Sequence, residues 1–341
     1  MVHTMALLRA LIGTARMLRH APRLATALAA DDAVLLDAPD EQLAPALVGA
    51  GRGEYESAAK LLATTREAAE WENRDLYALR LATFARGRAE WFELWRSAAP
   101  HDPDALLVKA ELALRHAWES PARAELLREV APLITAAADA DPRDPVPWRI
   151  ALDHARGSAA PRTVFDELWA QAVRRSPHHY GCHAAALQYL SAAWYGSHRE
   201  CFDFAEHAAA DALPGSLVRA LPVRAAFAYL LDPGTGVVPA MRLHAAADGA
   251  VELSHAYAGG DPYPAEVRNL LTYVLVRLER WDDALEQLRL IGPHATSFPW
   301  DRISDDPLGQ FLELRDGIRL EVAAATPLRR GRRYPGRSGG H

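Results

Sequence analysis

The stretch "AEVRNLLTYVLVRLERWDDALEQLRLIGP" (residues 265–293) decides the fold class, because it consists largely of good helix formers and ends at a proline. Ala, Leu, Arg and Glu also dominate the rest of the chain, and half of all residues are apolar. Runs of β-branched residues with strand periodicity are short throughout the sequence. The composition therefore predicts an all-α protein with a large buried core, and the nine Trp residues are expected to pack between its helices.

Prolines interrupt this helical pattern at fairly regular distances along the chain. The first proline of each break falls at residues 100, 142, 177, 214 and 262, so the intervals run from 35 to 48 residues. Proline fixes φ and lacks an N–H, so it ends one helix and can begin the next, and an Asp just before it is a suitable N-cap. An interval of this length holds two helices and two turns, which predicts stacked helical hairpins.

Residues 265–293 also resemble the tetratricopeptide repeat. Leu271 and Leu275 match apolar positions of the first helix of that repeat, Trp281 matches its aromatic position after the turn, and Ala284 matches its small residue on the second helix. The resemblance implies a tetratricopeptide-like α-solenoid of about five to seven helical hairpins, in which the first helices line a concave groove for extended peptides.

A looser resemblance concerns "LSAAWYGSHRECFDFA" (residues 190–205). This stretch is similar to an uncharacterised group of bacterial helical proteins that carry an aromatic-Gly-Gly-Ser turn between two helices. Tyr195 stands where that group has its first Gly. The resemblance implies a helical hairpin of a bacterial protein, and it supplies no activity.

Three segments are predicted along the chain: a basic N-terminal helical segment over 1–36, the helical-repeat array over 37–325, and a disordered Arg/Gly-rich tail over 326–341. A membrane-surface helix is the alternative for the first segment. The tail carries five Arg and no acid, which leaves −11 for the rest of a chain whose net charge is −6. An acidic body disfavours nucleic-acid binding, and only the basic tail suits that role.

The sequence also predicts the compartment. No run of residues approaches the ~20 apolar residues that cross a bilayer. Two cysteines in a chain of 341 residues do not make a disulfide framework, which favours a reducing environment. We therefore predict a cytoplasmic protein without a membrane span.

Each cysteine follows a histidine by three residues, in His179-x2-Cys182 and His198-x2-Cys201. This spacing is typical of zinc ligands. On a helical hairpin, however, the two pairs begin two antiparallel helices, whose starts lie roughly 20 Å apart. We therefore predict two helix starts, no metal and no cofactor. The alternative function is an enzyme or accessory catalytic factor that uses the His and Cys residues within 178–201.

The predicted function depends on a polar stripe on the first helices, on the face opposite to their apolar residues. The resemblance implies that this face lines a partner-binding groove, although a merely solvated polar face remains the competing interpretation. We predict a non-catalytic scaffold or adaptor that binds a protein or peptide, and no catalytic residue is assigned. The residues predicted for the binding surface are Asn269, Tyr273, Arg277, Glu266, Arg149 and Asp153.

Overall fold

The computed structural model describes residues 28–234 and 236–325, and most of these residues are helical. The described ranges contain sixteen α-helices, two 3₁₀-helices and one pair of two-residue strands. This confirms the all-α prediction. None of the described helices is both long and apolar enough to cross a bilayer. The predicted tail and residues 1–27 of the predicted N-terminal helical segment lie outside the described residues.

Residues 37–257 form one compact unit, in which twelve α-helices follow one another with short connections. A 3₁₀-helix, Leu217–Ala220, directly precedes the eleventh. The helices are α1 Leu43–Gly51, α2 Glu56–Glu67, α3 Trp71–Gly87, α4 Glu90–Ala98, α5 Pro103–Glu119, α6 Arg123–Ala140, α7 Val146–Gly157, α8 Arg162–Arg175, α9 Tyr180–Tyr189, α10 His198–Asp211, α11 Leu221–Leu231 and α12 Ala240–His255.

Alternate helices of this unit pack against one another. Helix α3 packs on α5, α5 on α7, and α7 on α9, while α6 and α8 pack beside the helices that precede them. Helix α9 also contacts α3, so the start of this series meets its end. The contact brings polar side chains of distant parts of the chain together between these helices.

Asp residues before prolines cap the breaks between helices, as the sequence predicts. Asp102 accepts a hydrogen bond from the N–H of Asp104 at 2.8 Å, and Pro103 is the first residue of α5. Asp144 accepts from the N–H of Val146 at 2.8 Å, at the start of α7. These side chains satisfy N–H groups that have no partner within the helix.

Aromatic residues fill much of the core of this unit. Trp91, Phe92 and Trp95 of α4 are buried, with ring centroids 5.6 to 6.3 Å apart. Phe165 of α8 stacks on Tyr189 of α9, with centroids 4.1 Å apart. Burying such side chains stabilises the folded state by roughly 1.5–3 kcal/mol each. These residues have the packing role expected for the aromatic residues of the chain.

The second compact unit combines residues 28–36 with residues 258–325. Its strands β1 and β2 pair in parallel, and the buried guanidinium of Arg315 contacts Asp31 and donates to the carbonyl of Ala29 at 3.1 Å. The prediction of a single array over 37–325 stays a prediction. The elements are the 3₁₀-helix Asp31–Ala33, β1 Leu35–Leu36, α13 Ala265–Arg277, α14 Trp281–Ile291, β2 His294–Ala295, the short helix α15 Ser297–Trp300 and α16 Pro307–Ala325.

Helices α13 and α14 confirm the hairpin predicted over residues 265–293. Leu271 and Leu275 of α13 are buried, as are Ala284 and Leu288 of α14. The two helices pack against each other. Leu271, Leu275 and Ala284, which match positions of the tetratricopeptide repeat, therefore lie in the core of this unit.

Candidate functional site

The first His–Cys pair lies at the start of α9. His179 is the N-cap residue, and its Nδ1 accepts a hydrogen bond from the backbone N–H of Cys182 at 3.1 Å. The Sγ of Cys182 lies 3.2 Å from the same nitrogen and 3.7 Å from the carbonyl oxygen of Pro145. Both side chains are buried. The spacing of this pair thus reflects helix capping, as the sequence analysis predicts.

The start of α9 is bound to the first turn of α3. The Nε2 of His179 lies 3.2 Å from the carbonyl oxygen of Trp71, and Glu72 accepts a hydrogen bond from the N–H of Tyr180 at 2.7 Å. A Cβ on Gly181 would lie 2.2 Å from Oδ2 of Asp75, so a larger residue there would displace the Asp75 carboxylate. Burial raises the pKa of Glu72.

Arg149, predicted to face a groove, is 6% exposed and surrounded by carboxylates. Its guanidinium lies 2.7 Å from Asp75 Oδ1 and 2.7 Å from Glu111 Oε2, and 3.5 Å from Asp153 Oδ2. Helices α3, α5 and α7 converge on Arg149, and partner binding by Arg149 stays a prediction. Burial would lower the pKa of Arg149, but these carboxylates raise it well above its ordinary value.

Arg74 makes a second buried ionic contact between the same helices. Its side chain is 1% exposed and lies 2.7 Å from Asp104 Oδ1 and 2.6 Å from Asp144 Oδ2. It also donates to the carbonyl of Leu62 at 2.9 Å. We name the two arginines and their buried or nearly buried partners the charged layer. Its members are Arg74, Asp75, Asp104, Glu111, Asp144 and Arg149.

Opposite charges lie next to each other within the charged layer. Burial would raise the pKa of Glu111, but the guanidinium groups of Arg149 and Arg115 outweigh it and lower that pKa. Solvent reaches mainly the margin of the layer, where the side chains of Glu72, Asp153 and Arg115 are 30, 21 and 35% exposed. The centre of the layer therefore holds the helices together, and only its margin is available to a partner.

The second His–Cys pair has different neighbours. His198, the first residue of α10, packs edge-on against Tyr229 with centroids 5.1 Å apart, and the thiol of Cys201 donates to the carbonyl of Leu187 at 3.5 Å. Burial raises the pKa of the Cys182 thiol, and it raises the pKa of Cys201 to about 12. Within residues 28–234 and 236–325, no group of three or more His, Cys, Asp or Glu residues is placed to hold a metal ion.

Asn269, also predicted for the binding surface, is fully buried in the second unit. Its Nδ2 donates to the carbonyls of Ala265 at 2.8 Å and His294 at 3.0 Å, and its Oδ1 accepts from Trp300 Nε1 at 2.9 Å. The chain after α14 covers this face of α13, and partner binding by Asn269 stays a prediction. Its amide instead links three segments of the unit.

The other residues of the α13 stripe reach solvent to different extents. Tyr273 is 7% exposed, and its hydroxyl oxygen accepts from the guanidinium of Arg277 at 2.8 Å. Arg277 is exposed and Glu266 is half-buried. Partner binding by Glu266, Tyr273 and Arg277 stays a prediction, with Arg277 the most accessible of them.

An open pocket of about 570 Å³ lies between α2 and the connection from α4 to α5. Lys60 and His101 line it together with Ala and Pro residues. The carboxylate of Asp102 caps helix α5, and the carboxylate of Asp104 pairs with Arg66 and Arg74. None of the residues predicted for the binding surface lines this pocket.

A cluster of partly exposed aromatic residues was missed by the sequence analysis, which expected the Trp residues to pack between helices. Trp118 and Trp194 lie perpendicular with centroids 5.5 Å apart, and the Cζ of Arg156 is 4.3 and 4.7 Å from their ring centroids. Trp194 and Tyr195 remain 36 and 43% exposed. The adjacent aromatics before Gly196, within a break between helices, were the signal that could have identified this surface.

His183 provides a test of these electrostatics through the pH dependence of stability. Its Nδ1–H donates to the carbonyl of His179 at 2.9 Å, its ring packs edge-on against Trp169, and burial lowers its pKa to about 4. In the unfolded chain the pKa of His is about 6.5, so the unfolded state binds the proton first and stability falls as pH drops from about 6.5 towards 4. We expect the wild type to lose about 2 kcal/mol more than His183→Gln between pH 8 and pH 5, measured by urea unfolding.

The control for this prediction is His116→Gln, at an exposed position of α5. It should leave the pH dependence of the wild type unchanged. Equal pH dependence in the wild type and His183→Gln would show that burial does not keep His183 neutral.

Asn269 and Arg149 thus have roles inside the protein. The accessible surfaces are the margin of the charged layer, the exposed part of the α13 stripe and the aromatic cluster. Comparison with known proteins does not narrow this choice: no family model, no curated protein and no solved structure matches this chain.

Proposed function

We propose that this chain is a non-catalytic scaffold or adaptor, a tetratricopeptide-like α-solenoid that binds a protein or peptide. The observation that supports this proposal is the packing order in residues 37–257, where α3, α5, α7 and α9 contact one another in succession. In helical-hairpin arrays the corresponding helices of successive hairpins contact one another and present extended surfaces to partners. The contact between α9 and α3 is additional to this order. Because both cysteines are free thiols, we also propose a reducing, cytoplasmic location.

The charged layer determines which polar side chains near α3, α5 and α7 a partner can contact. Arg149 and its carboxylates are already paired, so a partner that competed for them would have to break buried ion pairs. A partner that contacts the margin of the charged layer breaks no fully buried ion pair, because the side chains of Asp153 and Arg115 are partly solvated. We propose that a partner of residues 37–257 contacts this margin. For residues 258–325 we propose contact through Glu266 and Arg277.

The alternative is an enzyme or accessory catalytic factor that uses the His and Cys residues within 178–201. The 3.2 Å contact between His179 and Cys182 resembles a thiol–imidazole pair. However, both groups are buried and burial raises the pKa of the thiol, which disfavours the reactive thiolate. These observations favour the scaffold over the enzyme.

Capture of partners tests the proposed function. The purified full-length chain would be immobilised, proteins retained from a bacterial lysate would be identified, and a reverse capture would verify each one. We expect at least one protein to bind reproducibly, and binding to weaken in Arg277→Ala or Arg115→Ala if these surfaces are used. Arg289→Ala, at a half-buried arginine of α14, is the matched control.

Two results would contradict the proposed function or its contact surfaces. Absence of any partner, together with stoichiometric zinc that disappears in Cys182→Ser and Cys201→Ser, would contradict the scaffold and favour the alternative. Unchanged capture by folded Arg277→Ala and Arg115→Ala would retain the scaffold and reject these two contact surfaces.

A further inference from the structure

Three turns of residues 37–257 meet at the aromatic cluster. They connect α5 to α6, α7 to α8 and α9 to α10, and together with the helical residues that flank them they span 118–123, 156–162 and 190–197. The guanidinium of Arg156 lies against both Trp118 and Trp194, and the hydroxyl of Tyr195 donates to the carbonyl of Arg156 at 2.9 Å. We name this region the turn surface, with Trp118, Arg123, Arg156, Trp194 and Tyr195 as its members.

Trp194 and Tyr195 of the turn surface lie in a turn, residues 190–197, that backbone hydrogen bonds hold in place. The N–H of Tyr195 donates to the carbonyl of Tyr189 at 3.2 Å, and that of Ser197 to the carbonyl of Leu190 at 3.1 Å. A Cβ on Gly196 would lie 2.2 Å from the carbonyl oxygen of Leu190, so glycine is required there. Side chains fixed in this way lose little conformational entropy when a partner covers them.

The composition of the turn surface is that of a protein-binding hot spot. Trp, Tyr and Arg dominate the residues that contribute most to binding at protein interfaces. Two large aromatic side chains, Trp194 and Tyr195, expose 36 and 43% of their surface next to a stacked arginine. Small exposed residues, Ala192 and Ala193, precede them and leave the rings accessible.

The charge of the turn surface indicates the chemistry of its partner. Residues 118–123, 156–162 and 190–200 contain four Arg residues and two acids, Glu119 and Glu200, in a chain whose net charge is −6. Arg156, Arg162 and Arg199 each pair with a carboxylate of their own helix, and Arg162 also pairs with Glu200 of α10. Arg123 is exposed, lies 4.7 Å from the Trp118 ring centroid and has no carboxylate partner within the described residues. A carboxylate of a partner is the complementary group for it.

We propose that the turn surface binds a protein segment that carries carboxylates among apolar side chains. The carboxylates contact Arg123, and the apolar side chains cover Trp194 and Tyr195. This inference rests on the proposed scaffold function and names a partner surface for it. Single-stranded nucleic acid also combines negative charge with planar groups that stack on aromatic rings. The net charge of −6 opposes nucleic acid more than the protein segment, because a nucleic acid carries a negative charge at every nucleotide, whereas the segment carries carboxylates only at intervals.

Fluorescence anisotropy with defined probes tests the turn surface directly. The probes are fluorescein-labelled peptides of equal length, built from repeated Glu-Pro-Leu, Lys-Pro-Leu or Glu-Pro-Ser triplets, and a labelled oligothymidine. We expect the Glu-Pro-Leu peptide to bind the full-length chain most tightly. Binding should weaken at least about tenfold in Trp194→Ala and in Arg123→Glu, because each variant removes one half of the recognition.

Matched controls separate this surface from general effects. Tyr263→Ala removes another exposed aromatic ring, and Arg128→Glu reverses the charge of another exposed arginine of α6. Both should bind the Glu-Pro-Leu peptide like the wild type. Arg123→Glu changes only an exposed side chain, so it remains informative if Trp194→Ala fails to fold.

Several results would overturn the proposal. They are no binding of the Glu-Pro-Leu peptide, equal binding of the Lys-Pro-Leu peptide, equal weakening in the control variants, and tighter binding of the oligothymidine. The proposed scaffold function is tested separately, and it fails if the full-length chain captures no partner. A captured protein that binds Trp194→Ala and Arg123→Glu as tightly as the wild type would reject the turn surface and retain the scaffold.

Discussion

Replacing Arg149 with methionine is expected to lower the free energy of unfolding by about 3–5 kcal/mol, because removing one partner of a buried ion pair leaves the other charges uncompensated. Asp75 and Glu111 would both lose a guanidinium that now lies 2.7 Å away. Methionine fills a similar volume, so the loss would come mainly from the charges and less from a cavity. Urea unfolding at pH 7, followed by far-ultraviolet circular dichroism, measures the change.

Two further variants separate the buried charge from other causes of instability. Arg128→Met removes an exposed arginine of α6 and should change the stability by no more than about 0.5 kcal/mol. Adding Glu111→Gln to Arg149→Met should restore about 1–2 kcal/mol, because it removes one of the stranded charges. A loss below about 1 kcal/mol in Arg149→Met would mean that water or a rearrangement compensates these carboxylates.

Replacing Trp300 with alanine is expected to destabilise the unit of residues 28–36 and 258–325 by about 3–5 kcal/mol. The side chain is fully buried, its ring packs edge-on against Tyr273 and Phe311, and its N–H satisfies the carbonyl oxygen of the Asn269 side chain. The variant would lose both the apolar contacts and that hydrogen bond. Hydrogen exchange of the amides in α13 and α16 should accelerate in proportion.

Trp300→Phe separates the loss of apolar contacts from the loss of the hydrogen bond. Phenylalanine retains an aromatic ring against Phe311 but leaves the side-chain carbonyl of Asn269 without its donor, which is expected to cost about 1–3 kcal/mol. Trp281→Ala, at a half-buried Trp of α14, is the control and should have the smaller effect of a partly solvated site. Equal exchange rates in Trp300→Ala and the wild type would contradict a structural role for Trp300.

Local features of the fold could be predicted from the sequence because their causes lie within a few residues. Asp102 caps α5 through an N–H two residues away, and Pro103 has the φ that a first helical residue needs. The cysteine pattern is similar, since His179 bonds to the N–H of Cys182 three residues later. Both motifs were predicted as helix starts, and both coincide with the beginning of a helix.

The burial of the predicted site residues could not be predicted, because its causes are distant in sequence. Arg149 meets Asp75 across 74 residues, and Asn269 meets Trp300 across 31. Helix periodicity places both on a polar face, but it does not reveal which other polar group covers that face. A polar residue on an amphipathic helix is therefore equally compatible with solvent and with a buried partner, until the packing of the helices is known.

The charged layer also affects how partner binding can evolve. Each of its acids contacts an arginine from another helix, so a substitution there changes stability as well as recognition. The turn surface is less constrained, because Trp194 lies in the connection between α9 and α10, and Arg123 is an exposed residue at the start of α6. New specificity is therefore easier to acquire at the turns, where a substitution does not strand a buried charge.

The parallel pairing of β1 with β2 has a consequence for protein synthesis. Leu35 and Leu36 leave the ribosome about 260 residues before their partners His294 and Ala295, a delay of roughly 13 to 50 s at common elongation rates. Residues 37–257 are continuous and can complete their contacts during that interval. Residues 28–36 must wait with exposed backbone groups until the last helices emerge, so a stalled or truncated nascent chain would present an unpaired segment to chaperones and proteases.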